Sequence, residues 1–130
     1  MKLHTAITEG VRISVQPQFR PDFSKVNESV YYFHYRISIE NRNNFPVKLL
    51  KRCWHIYDSL NPFRIVEGDG VIGNQPELQP GEVYHYTSGC DLNSEMGYME
   101  GYYTFENMLT KETFKVNVPQ FHLVFPGKYN

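Results

Sequence analysis

The stretch Tyr31-Tyr32-Phe33-His34-Tyr35-Arg36-Ile37-Ser38-Ile39-Glu40 decides the fold of this chain. Tyr31, Phe33, Tyr35, Ile37 and Ile39 are aromatic or β-branched, while the intervening positions end in Arg36, Ser38 and Glu40. Successive side chains of a strand point to opposite faces, so a period of two marks a strand with one face in a core and the other in water. Asn41-Arg42-Asn43-Asn44-Phe45-Pro46 closes it with residues that tolerate turn backbone.

The same pattern recurs on both sides. Upstream, Val11-Arg12-Ile13-Ser14-Val15-Gln16 alternates, and Pro17 and Pro21 are expected to end that strand or put it at an edge, because proline cannot donate to a ladder. Downstream, residues 47–58 place Val47 and Leu49 on one parity and Leu50, Trp54 and Ile56 on the other. A parity change within one apolar strand predicts a bulge near Leu49-Leu50. Shorter runs follow at 63–67, 83–87 and 97–105, and 107–112 reads as a hairpin connection into 113–118. Pro119 is expected to end that strand, leaving 121–125 as the last one. Leu78-Gln79-Pro80-Gly81-Glu82 is a turn signal, with Pro setting one central φ and Gly accepting a positive φ at the next.

Composition agrees. Among 130 residues there is one Ala, against eleven Val, seven Ile, nine Phe, ten Tyr and one Trp. Ala is the best helix former, and β-branched and aromatic side chains suit a pleated surface, so a helical bundle is excluded. Seven or eight short strands with no helical stretch between them predict one all-β domain over residues 1–130, an antiparallel sandwich with Greek-key connections.

Thirteen Lys and Arg stand against fourteen Asp and Glu, which leaves no basic excess to neutralise a phosphate backbone, so no nucleic-acid partner is expected. Apolar runs such as Leu123-Val124-Phe125 fall far short of the roughly 18 residues a membrane-spanning helix needs, and no membrane insertion is expected. The N-terminus lacks the apolar core of a signal peptide, and the expected location is the cytoplasm. The two cysteines form no CxxC pair, so neither a disulfide framework nor a zinc site is indicated. Cys53, before Trp54, reads as a buried small hydrophobe; Cys90, after Gly89, reads as a more accessible loop residue.

Three features bear on function. Gly68-Asp69-Gly70-Val71-Ile72-Gly73 spells GxGxxG, but Pro76 and Pro80 follow where a dinucleotide-binding unit needs a helix. The expected role of Gly68, Gly70 and Gly73 is an inter-strand loop, with ligand binding as the alternative. Glu67 and Asp69 make a divalent cation the favoured direct ligand there, since hard cations prefer oxygen. His4, His34, His55, His85 and His122 are scattered without metal-motif spacing, and Ser88 lacks a nucleophile elbow, so no catalytic constellation or firm metal site is assigned. Ten tyrosines exceed what one small core needs, and Tyr suits a half-wet contact surface. Tyr84, Tyr86, Tyr32 and Tyr102 are the candidates for it.

With these segments read, the chain resembles the ApaG family, the ApaG or DUF525 domain. The resemblance is carried by residues 46–56, Pro-Val-Lys-Leu-Leu-Lys-Arg-Cys-Trp-His-Ile, by Glu67 to Pro76, and by Leu78-Gln79-Pro80-Gly81-Glu82 through Tyr86-Thr87-Ser88-Gly89. Gly97-x-Met99-x-Gly101-x-Tyr103 and Pro119-x-Phe121-x-Leu123 complete it, so it covers nearly the whole chain. It implies an immunoglobulin-like or fibronectin type III-like sandwich and a link to cobalt and magnesium homeostasis. It also implies either a role in protein interaction or a nucleotide or pyrophosphate site on Gly68, Gly70 and Gly73. The expectation is a small non-catalytic binding module whose partner is a protein or a second copy of the chain. No resident cofactor is expected beyond a weakly bound divalent cation, Mg²⁺ or Co²⁺, and a nucleotide-polyphosphate or pyrophosphate binder or hydrolase that uses residues 68–73 with such a cation is the alternative.

Overall fold

In the computed structural model, which describes residues 2–129, the deciding stretch is β3 (Tyr31–Asn41). Its five alternating aromatic and β-branched side chains are all buried, and Arg36 among them is exposed. β3 lies inside a four-stranded antiparallel sheet of order β1-β2-β3-β7, with β1 (His4–Thr8), β2 (Val11–Phe19) and β7 (Val83–Leu92). The second sheet has the order β5-β4-β8-β9, built from β4 (Val47–Asp58), β5 (Arg64–Asp69), β8 (Met96–Asn107) and β9 (Thr113–Val124). The two-residue β6 (Glu77–Leu78) pairs with β4. The inner faces of the two sheets share one core, so the nine described strands form an all-β antiparallel sandwich.

Both sheet-two strands that carry an irregularity use it to keep apolar residues inward. The β4–β8 register shifts between Leu49 and Lys51, where the bulge is expected, so Val47 and Leu49 before it and Trp54 and Ile56 after it all reach the core. The second shift corrects the expectation that Pro119 ends a strand. β9 runs straight through it, because Met99 pairs Phe121 while Gly101 pairs Val118, leaving one extra residue on β9 beside the proline. The shift lets Val116 and Val118 on one parity and Phe121 and Leu123 on the other all face inward. β9 is an edge strand, where a residue without an N–H is tolerated. Pro17 obeys the same rule: it sits inside β2 and pairs Tyr35, but β1 pairs β2 only as far as Val15.

Two other expectations are corrected, and one strand is additional. β1, His-Thr-Ala-Ile-Thr, carries too little apolar alternation in sequence to be read alone and forms by pairing with β2. β7 does not stop at residue 87 but continues to Leu92, since β3 pairs it along its whole length. Cys90 is therefore a strand residue facing the core, not a loop residue, and burial pushes its thiol up to about 11. The turn at 79–82 forms as read: the Glu82 amide donates to Gln79 O at 3.0 Å and Gly81 has φ +84°.

Two buried polar groups fix the ends of the sandwich. Asn41 donates through Nδ2 to Phe45 O at 2.9 Å and Leu78 O at 3.0 Å, and its Oδ1 accepts from the Asn43 amide. At the far end of β4 the Asp58 carboxylate accepts from the Asn93 amide at 2.7 Å, from Asn61 Nδ2 at 3.0 Å and from the Ser94 hydroxyl. Burial would raise the Asp58 carboxyl, but these donors outweigh it and hold it below the ordinary carboxylate range.

Candidate functional site

The motif glycines answer three local steric demands. Gly68 lies in β5, opposite Arg52, and a Cβ there would stand 2.8 Å from the guanidinium. Gly70 has φ +62°, and a Cβ on it would meet Asn74 O at 2.0 Å. Ile72 (φ +47°) and Gly73 (φ +74°) are the central pair of a two-residue hairpin in which Val71 and Asn74 exchange backbone hydrogen bonds of 2.8 and 2.9 Å. Two consecutive positive φ values are the geometry of a tight hairpin turn, not of a loop opening a helix. The amides of Gly70, Val71 and Asn74 are thereby donated to Leu50 O, Asn74 O and Val71 O. The carbonyls of Asp69 and Gly70 in turn accept from Arg52 Nη1 at 3.1 and 3.0 Å.

Glu67 and Asp69 both lie on the outer side of β5, where Glu67 pairs Cys53 and Asp69 pairs Lys51 across the ladder. Both are exposed and border a surface groove of about 420 Å³ with Lys51 and Tyr102. The Cys53 thiol is 3.7 Å from Glu67 Oε1 and 3.6 Å from His55 Nε2, and is buried as expected. Among the described residues, no three His, Cys, Asp or Glu side chains are placed to share one metal ion.

The four tyrosines proposed as a contact surface do not come together. Tyr84 and Tyr86 pack against the core, and the Tyr86 hydroxyl is bonded to that of Tyr103. Tyr32 lies on the outer face of the first sheet, 5.5 Å from the His34 ring and 5.7 Å from Phe23. Tyr102 lies on the outer face of the second, with Lys115 Nζ 4.6 Å from its ring centre.

That outer face carries a different aromatic arrangement. Tyr57 on β4 pairs Tyr98 on β8, which pairs His122 on β9. The Tyr57 and Tyr98 rings stack at 4.3 Å and 19°, Phe63 stacks on the other side of Tyr57 at 5.3 Å and 16°, and His122 follows Tyr98 at 5.7 Å. Four rings thus cross three paired strands and the entry to β5. Phe63, Ile65 and Leu60 beside them are 51%, 53% and 75% exposed, and Met96 is also open to water. Next to Tyr98, a shallow and almost wholly apolar hollow of about 340 Å³ runs to Met96 and Ser59.

A family model described as the ApaG domain (DUF525) matches residues 21–107. The chain belongs to the ApaG family. The protein ApaG of Mesorhizobium japonicum is 42% identical over 125 residues, 96% of this chain and 95% of that one. The protein ApaG of Sinorhizobium fredii is 40% identical over the same span. Among solved structures, the ApaA protein of Bordetella pertussis superposes with a TM-score of 0.85 at 34% identity, covering 94% of this chain and 95% of that one.

In this ApaG domain the aromatic ladder is the feature that sequence reading passes over. Tyr57 stands on the parity opposite to Trp54 and Ile56, and that offset was its available signal. Tyr98 and His122 gain their meaning only through the β4–β8–β9 register, which the chain order does not display. Chemically the ladder offers flat apolar area with a polar tip on each Tyr and on His122, which suits a contact that is part dry and part wet.

Proposed function

We infer that the chain is a small binding module without chemistry of its own, and that the ladder of Phe63, Tyr57, Tyr98 and His122 is the face with which it binds protein. The observation that carries this reading is the stack of Phe63, Tyr57 and Tyr98, with the His122 ring tilted against Tyr98, on an open sheet face beside exposed Leu60, Ile65 and Met96. Contiguous apolar patches of this kind mark contact sites, and aromatic side chains are enriched at them. A two-fold dimer brings the same patch of two copies together, so a second copy of the chain is the first partner to test. A polyphosphate site at the glycine hairpin would have to do without the amides of Gly70, Val71 and Asn74, which the hairpin already uses, and this ranks that reading second. The link to cobalt and magnesium that the family resemblance implies would then rest on binding; among the described residues no helix is long and apolar enough to cross a membrane.

Sedimentation velocity from about 1 µM to about 1 mM tests it, because self-association grows with concentration by mass action. The wild type should sediment faster as concentration rises, and Tyr98→Glu should remain a monomer throughout. Identical behaviour of the two proteins would overturn the assignment of this face.

A further inference from the structure

The side of sheet two opposite the ladder carries a second feature. The edge strands β5 and β7 face one another across the sandwich, tied once from β5 and once from the hairpin that follows it. Arg64 Nη2 donates to Asp91 O at 2.6 Å, and Asn74 Nδ2 reaches the Tyr84 hydroxyl at 3.5 Å. Between these ties lies a cavity of about 250 Å³, lined by Trp54 and Ile56 on its apolar side and by Arg52, Tyr35, Tyr86 and Ser88 as its polar groups. Among the described residues that line it, Arg52 alone is charged.

Arg52 takes an inward position on β4, opposite the buried Tyr103 and two residues before Trp54. It is half-buried, and no carboxylate among the described residues forms an ion pair with it. A partly desolvated arginine is stabilised by an anion, because removing a lone charge from water is costly, and Arg52 also borders the outer groove beside Glu67 and Asp69 without pairing with either. Nη1 spends both its hydrogens on the carbonyls of Asp69 and Gly70. That leaves the edge formed by Nε–H and Nη2–H, two parallel donors in the fork that takes a carboxylate bidentately. Burial drives the hydroxyls of Tyr35, Tyr86 and Tyr103 up, and the Arg52 charge pulls each part of the way back; Tyr35 and Ser88 are hydrogen-bonded to one another. At neutral pH these hydroxyls keep their protons and remain donors.

We propose that this cavity is a binding site for a small organic monocarboxylate. Its carboxylate is held by the free edge of Arg52 and the hydroxyls of Tyr35 and Ser88, and its apolar body lies against Trp54 and Ile56. A single charged residue fits a single negative charge; a polyphosphate would bring several into a mostly apolar lining. The volume falls just under the roughly 300–1,000 Å³ of ordinary ligand sites, so the occupant is about the size of benzoate. This site is separate from the contact face and stands or falls independently of it.

Trp54 is the chain's one tryptophan, so its fluorescence reports on the cavity directly. Benzoate, benzamide and pyrophosphate are the probes, added to the full chain. Benzoate should change Trp54 emission saturably and shift the amide signals of Ser88 and Gly89. Benzamide, which has the shape without the charge, should bind at least about tenfold more weakly, the value of one charge-assisted pair. Equal binding of benzamide, tighter binding of pyrophosphate, or no saturable change up to about 20 mM benzoate would each overturn the proposal. Arg52→Gln should abolish benzoate binding. Because Arg52 also ties down the hairpin, Ser88→Ala and Tyr35→Phe provide the test that leaves this tie untouched: each should weaken benzoate several-fold, and unchanged affinity in both would overturn the assignment.

Discussion

β4 carries two aromatic arrangements, three residues apart and on opposite sides. Inward, Trp54 meets Tyr35, Tyr103 and Phe121 edge-on, at centroid distances of 5.4, 6.2 and 6.0 Å. Outward, Tyr57 lies flat between Phe63 and Tyr98 at 5.3 and 4.3 Å. The inner rings come from both sheets and enclose one another from several directions, so their geometry is set by the packing of the sandwich. The outer rings lie on one sheet: the strand register sets Tyr57 beside Tyr98 and Tyr98 beside His122, and Phe63 at the entry to β5 stacks on Tyr57. Each outer ring is covered along the row and left open above it. The same residue type thus serves the fold on one side of a strand and is free for a partner on the other.

The sharpest way to break the comparison is to remove one ring from the inner set. Trp54→Ala should cost about 3–5 kcal/mol of unfolding free energy, the range for truncating a large buried aromatic, and much of the margin of a small domain. Denaturation followed by circular dichroism measures it, since the fluorophore is lost with the side chain. A cost near that of a surface substitution would mean that the inner cluster is not the keystone of the core.

Asp58 ends the same strand on the inner parity but with a carboxylate. Asp58→Ala leaves the Asn93 amide, the Ser94 hydroxyl and Asn61 without their acceptor, at about 3 kcal/mol. Its folded pKa lies below the unfolded value of about 3.9, so its contribution is present above that value and is lost as pH falls through the folded pKa. Urea titrations should therefore show the wild type losing stability below about pH 4 more steeply than Asp58→Asn. Parallel acid limbs would show that the carboxylate is not what holds the corner.

Within the inner set, the paired hydroxyls of Tyr86 and Tyr103 make a smaller test. Tyr103→Phe strands the largely buried Tyr86 hydroxyl and should cost about 1–3 kcal/mol, whereas the double change to Phe removes both polar groups and should be closer to neutral. A double-mutant cycle on thermal unfolding reads the difference. Additive losses would show that each hydroxyl has another partner.

The legibility of the molecule follows the same inside–outside division. Burial writes itself into a period of two, so β3, the β4 bulge and the two-residue alternation of β9 can be read from residues such as Ile37, Leu49 and Val116. β1 and the continuation of β7 to Leu92 cannot, because they exist by pairing with a neighbour already in place. Pro119 misleads for a related reason: its effect depends on whether the strand lies at an edge, a property of the sheet and not of the sequence around it. Gly68, Gly70 and Gly73 show as a spelling, but only Arg52, Asn74 O and the hairpin reveal why glycine is required. The tyrosine surplus is visible in composition, yet the members that line up, Tyr57 and Tyr98, are chosen by register.

The smallest expected effect on stability separates the two arrangements most cleanly. Tyr98 is half-buried and loses with its ring one stacked pair, worth about 0.5–1.5 kcal/mol, so Tyr98→Ala should cost about 1 kcal/mol and lower the melting temperature by only a few degrees. Self-association should nevertheless disappear, since the ladder is broken at its centre. Tyr102→Ala is the matched control: it removes a half-buried tyrosine from the same face and strand, but one that contacts Lys115 and stands outside the row. If the ladder is the contact face, the two variants unfold alike and sediment differently. If they sediment alike, the outer rings are decoration on a sheet whose stability comes from the other side, and the distinction between ring sets built for the fold and for a partner fails.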